Sequence, residues 1–409
     1  MKLINKTIPS TLLTIFIFSI FIYARAVGYG DLRLSVATID TETYITSARN
    51  PLFSWQGFSG RRLFTTNLLF KLSTKAECPA PVPSNPFHGQ EREREILPCF
   101  QTIALTQNAL SIFGWCLLAY LFSKRINNPF YKILSIITIL GFGFTPQIAE
   151  WDSVLNVESI TLSLGVISLA LLIESAHRFP KILQGYSASL LDILIITLFL
   201  FVFLLWVFAR DAHLYAIFTL LILIIPLFLF KPIRNMKWMV GITLLLIITF
   251  IFGSATSQAS TRWHPSIEHS MNYYILPYPA RVAFMMERGM PNPNDTSAYK
   301  QWFETKANKD YAVFLLSHPG FILTTYFELS SYLRSDFLQT FFPTPKLEYY
   351  TTLLKIGEAL HPETNHTYIL SILLFISISI SAISTKNTTI ISWAWLASCF
   401  LFTPPSHLP

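Results

Sequence analysis

Four short stretches of this chain carry the residue types from which a phosphate-handling site is built. "VATIDTETYITSA", residues 36–48, places Asp40 and Glu42 one residue apart, with Tyr44 close behind. "PQIAEWDSVLNVES", residues 146–159, repeats that spacing with Glu150 and Asp152 and adds Glu158. "WVFARDAHLY" contributes Arg210 and Asp211, and "STRWHPSIEH" contributes Arg262, His264 and His269. Carboxylates in a D-x-E or E-x-D spacing chelate a hard divalent cation such as Mg or Mn, with Asp40, Glu150 and Asp152 as the candidate metal ligands. A carboxylate can instead remove a proton from a hydroxyl acceptor, which makes Asp40, Glu42 and Glu158 candidate catalytic groups. Arginine grips phosphate through two parallel hydrogen bonds, and Arg210 and Arg262 are placed to do so. Plainer uses stand beside each of these. Asp40 and Glu42 fit a solvated loop and Glu150 and Asp152 a polar turn. Arg210 fits a headgroup anchor partnered by Asp211, and the histidines fit an interface. Glu158, about a turn and a half inside an apolar segment, is the hardest to dismiss, because ionisable groups there face a cavity or a partner.

Those groups need a scaffold, and the composition says which kind. Hydrophobic residues make up 52% of the 409 and charged residues only 13%, against about 25% charged in soluble chains. The apolar residues come in blocks rather than at amphipathic spacing, so the fold class is an all-α polytopic membrane protein. Taking roughly 20 apolar residues per span, the segments are 8–27, 104–123, 131–149, 154–173, 188–208, 213–230, 237–255, 367–385 and 388–403. Connectors on one side hold Lys2, Lys6, Lys124, Arg125, Lys132, Arg178, Lys181, Lys231, Arg234, Lys237 and Lys386. The short connectors on the other side hold Glu150 and Asp152, then Arg210 and Asp211. This asymmetry predicts a cytoplasmic N-terminus in an inner (plasma) membrane, with residues 28–103 and 256–366 as two long extracytoplasmic loops of a single domain spanning 1–409. The net charge of +7 is then an orientation signal. No basic run is interleaved with aromatics, which argues against nucleic acid as a partner.

The first segment, "TLLTIFIFSIFIYA" followed by "RA", also fits a signal peptide. It is long for a signal core, and the later spans alternate correctly if it stays as an anchor. "ECPAPVPSNPFHGQEREREILPC", residues 77–99, reads as an irregular excursion. "YAVFLLSHPGFILTTYFELSSYL", residues 311–333, is broken by Pro319 and Gly320 and reads as two short interfacial helices rather than a further span. Cys116 and Cys399 lie in apolar segments as buried thiols. Cys78 and Cys99 bracket the external excursion, where they pair or stay free.

On these stretches the chain resembles the C-type (GT-C) superfamily of integral-membrane glycosyltransferases, which includes protein O-mannosyltransferases and the aminoarabinose transferases that modify lipid A. "IDTETYITSA" looks like the acidic motif of that superfamily's first external loop, with Asp40 at the position of the catalytic carboxylate and Glu42 in the second acidic place. "EWDSVLNVESITLSL" looks like its second acidic turn, and "FARDAHLY" like an arginine motif at the outer end of a later span. "NYYILPYPARVAFMMERGMP" and "FLLSHPGF" are similar to elements of an uncharacterised bacterial branch. The resemblance implies inverting transfer of a sugar from a polyprenyl-phosphate donor to an extracytoplasmic lipid, glycan or protein acceptor. In it Asp40 would serve the acceptor, and Arg210 or Arg262 the departing phosphate. A flippase or transporter for lipid-linked sugars, a non-catalytic family member, and a hydrolase that uses water in place of the acceptor on a lipid phosphate are the rival expectations. A transporter would set its ionisable groups near the midplane and show internal repeats. Here they gather at one surface, and no repeat is evident.

Overall fold

The computed structural model describes residues 10–73, 78–83, 94–183, 189–229, 234–322 and 350–360, with positions 324, 325, 328, 376 and 380. The architecture is helical, as the apolar blocks require. Among the described residues, four helices are long and apolar enough to cross a membrane: Gln101–Ser123, Glu158–Arg178, Leu190–Val207 and Lys237–Gln258. A bent pair, Pro129–Phe144 with Pro146–Ser153, makes a fifth if it is counted as one span.

The chain enters through α1 (Ser10–Gly28) and runs through α2 (Thr41–Ala48), α3 (Trp55–Ser59) and α4 (Phe64–Ser73) to α5 (Gln101–Ser123). Then follow α6 (Pro129–Phe144), α7 (Pro146–Ala149), a 3-10 turn at Glu150–Ser153, and α8 (Glu158–Leu183). Helices α9 (Leu190–Val207), α10 (Leu214–Ile224) and α11 (Lys237–Gln258) complete the apolar set. Of the nine expected spans, 8–27 and 213–230 are shorter apolar helices, and 131–149 is bent by 57°. The bend has a local cause. Pro146 forces Thr145 into extended backbone, and the helix cannot run through it. The segments 367–385 and 388–403, and Cys399 with them, lie outside the described residues.

Helix α8 is the axis of the bundle. Two thirds of its spanning window, 67%, is buried, against 17% for α9 and 33% for α11, which therefore turn most of their apolar surface outward. Small residues let it sit close to its neighbours. An ideal Cβ on Gly114 of α5 would stand 3.3 Å from Ser163 O of α8. From Glu158 to Arg178 the helix is roughly 30 Å long, the thickness of a hydrocarbon core. The end opposite Glu158 carries a knot of charge. Glu174 accepts hydrogen bonds from Arg125 and Arg178, and Arg178 also reaches Asp192 at 2.7 Å. These are the connectors expected to face the cytoplasm.

Several contacts tie down the first long loop, three of them near its ends. Leu34–Ser35 pairs antiparallel with Glu95–Ile96, Cys78 is bonded to Cys99 with Cα atoms 5.9 Å apart, and Val36 bridges Val154 in parallel. The second loop folds into α12 (Trp263–Ser270), a π turn at Met271–Ile275, α13 (Pro279–Glu287), α14 (Thr296–Thr305) and α15 (Ala307–Ser317). These helices have their own core of Met271, Met285, Trp302 and Phe314. Helix α15 ends just before His318-Pro319-Gly320, where the sequence predicts a break.

Candidate functional site

Asp40, Glu158, Arg210 and Arg262, from four separate segments, line one cavity of about 510 Å³. Local structure explains how each arrives. Val36 N donates to Ser153 O at 2.9 Å and Leu155 N to Val36 O at 3.0 Å, fastening the first loop to the turn before α8. Thr41 Oγ1 donates to Leu155 O at 2.9 Å, which fixes the start of α2 over the start of α8.

Asp40 occupies the N-cap position of α2, where an aspartate would normally accept a backbone N–H of the first turn. Its side chain makes no such bond. Instead it accepts from Arg62 Nη2 at 2.6 Å, with half of the side chain exposed. Arg62 also donates to Thr43 Oγ1 at 2.7 Å and to Tyr44 OH at 3.1 Å, and its guanidinium carbon lies 3.9 Å from the centre of the Tyr44 ring. Burial, and after it the Glu158 carboxylate, hold the Tyr44 phenol above its usual range, so it stays neutral.

Glu158 opens α8 instead of lying inside it: Val154 is held extended by its bridge to Val36, and the chain bends through residues 155–157 before the helix begins. Its carboxylate therefore sits where the helix dipole favours negative charge, and Arg210 donates to its Oε1. Arg262 is more fully engaged. It makes a two-pronged pair with Asp211, at 2.7 and 3.1 Å, and donates to Phe58 O and Gly60 O at 3.0 and 2.6 Å. Most of its donors are thus spent tying α3, the Asp211–His213 turn and the end of α11 together. Arg262 frames the cavity more than it offers itself to a ligand.

The neighbouring Arg61 and Arg62, and Thr66 on α4, also line the cavity and were missed in the sequence. A signal was available. Arg61 and Arg62 stand side by side in the loop that carries Asp40, and arginine is the residue type that grips phosphate through two parallel hydrogen bonds. Arg61 is exposed and has no ion-pair partner among the described residues. Four arginines face three carboxylates around the cavity, with His264 at its edge, so it carries excess positive charge. An anion is the ligand such a cavity suits.

Other expected site residues lie elsewhere. Glu42 is exposed in the first turn of α2 and does not line the cavity. Glu150 is buried in the 3-10 turn, away from the cavity lining. Asp152 is buried in an ion pair with Arg25 of α1 and accepts Ser159 Oγ at 2.5 Å. Asp40, Glu150 and Asp152 are not assembled as a ligand set, and among the described residues no three His, Cys, Asp or Glu side chains are grouped to hold a metal ion. His269 packs on Tyr273, with ring centres 4.4 Å apart. No protein-family model, curated protein or solved structure matches the chain.

Proposed function

We propose that this chain is a membrane transferase of the GT-C type, moving a sugar from a polyprenyl-phosphate donor to an acceptor on the outer side of the membrane. The observation that carries the reading is the convergence of Asp40, Glu158 and Arg210 with Arg61 and Arg62 on one cavity at the end of the bundle remote from the basic connectors. The Cys78–Cys99 bond supports an external loop, since disulfides persist in oxidising compartments.

In this reading the acceptor oxygen attacks the anomeric carbon, the bond from that carbon to the phosphate oxygen breaks, and the lipid phosphate leaves with the electron pair. Asp40 takes the acceptor's proton. Arg62 holds one carboxylate oxygen of Asp40, which fixes its direction and leaves the second for the acceptor. Arg210 and Arg61 face the charge that develops on the phosphate.

The test compares wild type with Asp40→Asn in membranes supplied with radiolabelled polyprenyl-phosphate sugars. Loss of label transfer by about 10²- to 10⁴-fold, with normal expression, is the expected outcome for a lost general base. Transfer that survives the substitution unchanged would remove Asp40 from the mechanism.

A further inference from the structure

The helices of the second loop form a further cavity, of about 390 Å³, which the proposed chemistry does not use. Arg281 on α13 and His318, just past α15, line it together with Phe284, Phe314 and Phe321. These side chains make one continuous cluster. Arg281 Cζ lies 4.7 Å from the centre of the Phe321 ring, and Phe321 lies 5.1 Å from Phe314. The His318 ring lies 4.7 Å from Phe314 and 4.9 Å from Phe284. Neither polar side chain is used up by the protein. Arg281 donates Nη1 to Tyr274 O at 2.6 Å and has no ion-pair partner among the described residues. His318 is exposed, and its Nδ1 lies 3.0 Å from Phe314 O. A carbonyl only accepts, so Nδ1 carries the proton and Nε2 is left for a ligand. Among the described residues that line the cavity there is no carboxylate.

Two chemistries meet in this cavity. The guanidinium of Arg281 lies against two aromatic rings, Tyr278 at 3.9 Å and Phe321, which holds its planar fork ready for a phosphate. The phenyl walls gain nothing from inorganic phosphate, and a plain hydrocarbon would leave the guanidinium donors unmet. An amphiphile that carries a phosphate satisfies both. The segments that form the cavity also hold large apolar side chains out to their surroundings: Leu316 is 82% exposed, and Tyr278 and Ile322 are each 47% exposed. Apolar and tyrosine side chains exposed beside a cation are what a surface lying at the headgroup level presents. We infer that this cavity binds the phosphodiester headgroup of a membrane phospholipid and so docks the second loop on the membrane surface. The two cavities share no residue, so the inference stands apart from the sugar-transfer reading.

The test is calorimetric titration of the purified full chain in detergent with four probes. These are dihexanoylphosphatidylglycerol below its micelle concentration, dihexanoylglycerol, glycerol 3-phosphate and farnesyl phosphate. Wild type binds the phospholipid more tightly than the other three. Arg281→Gln lowers that affinity about tenfold, the worth of one hydrogen bond to a charged group, with the melting temperature unchanged. Arg281→Lys recovers part of the loss. A measurement on wild type needs no variant: a diazirine-bearing phospholipid crosslinks to peptides from residues 278–288 or 311–322. Equal binding of glycerol 3-phosphate would mean a bare anion site, and equal binding of dihexanoylglycerol an apolar groove. Equal or tighter binding of farnesyl phosphate would mean an isoprenoid site. Each of these overturns the inference, as does crosslinking that misses both segments or an affinity unaltered in a folded Arg281→Gln. An affinity that falls with Arg61→Gln and not with Arg281→Gln would place the lipid in the first cavity and overturn it as well.

Discussion

A buried carboxylate is an asset only while its cation is present. Asp152 and Arg25 are 2% and 1% exposed and belong to segments 127 residues apart. Asp152→Ala would strand a guanidinium in the interior, with an expected loss of about 3–5 kcal/mol, readable by chemical denaturation of the purified chain. Arg25→Met with Asp152→Leu should recover most of that loss, since an apolar pair of similar volume carries no desolvation penalty. Asp40 is held differently. Its partner Arg62 reaches Asp40, Thr43 and Tyr44 at once, a three-way grip that a lysine cannot reproduce. Arg62→Lys should therefore cost about 10²-fold in transfer through misdirected geometry, with little change in melting temperature. Residue types are legible in the sequence to the extent that Asp40, Glu158, Arg210 and Arg262, whose types suit phosphate chemistry, all line the cavity. The fate of Asp152 is not, because spacing alone groups it with Glu150 when its partner is an arginine on another helix.

Elements were legible where hydrophobicity is continuous. Helices α5, α9 and α11 lie within three residues of the expected spans, because an apolar run of that length has few other folds available, whereas α8 starts four residues later than expected and runs ten residues further, to Leu183. The Thr145–Pro146 bend was not anticipated, although the proline that causes it is plain in the sequence. The approach of α6 to its neighbour has a test of its own. A Cβ on Gly143 would lie 2.6 Å from the Trp115 ring, and Gly143 O accepts from Arg25 Nη1 at 2.9 Å. Gly143→Ala should therefore cost about 1–3 kcal/mol through overpacking. The disulfide acts on the loop that carries Arg61 and Arg62, two of the cavity's four arginines. Cys78 and Cys99 are 21 residues apart, and opening a loop of that length by Cys99→Ser should lower stability by about 3 kcal/mol. The same loss should follow reduction of the wild-type chain, and adding reductant to the variant should change nothing.

At the scale of the molecule, the two ends of one bundle differ in their charged groups, and the proposed chemistry requires that they face opposite sides of a membrane. One end gathers Arg125, Glu174, Arg178 and Asp192 into a neutralising knot. The other gathers the cavity, with the Cys78–Cys99 bond in the loop that feeds it. Helix α11 runs between them, from Lys237 to the turn that delivers Arg262, about 33 Å at 1.5 Å per residue. Charge asymmetry alone predicts that the knot is cytoplasmic, and a single-cysteine pair decides it. In a background without Cys116 and Cys399, Arg49→Cys at the end of α2 and Lys237→Cys at the start of α11 are both exposed positions. A membrane-impermeant maleimide should label position 49 in intact cells and position 237 only after permeabilisation. The reverse pattern would put the cavity in the cytoplasm. A donor presented on the outer side could not reach it there, and the Cys78–Cys99 bond would sit in a reducing compartment that opposes it. The arginines would still form an anion site, but the acceptor and the donor would have to be cytoplasmic.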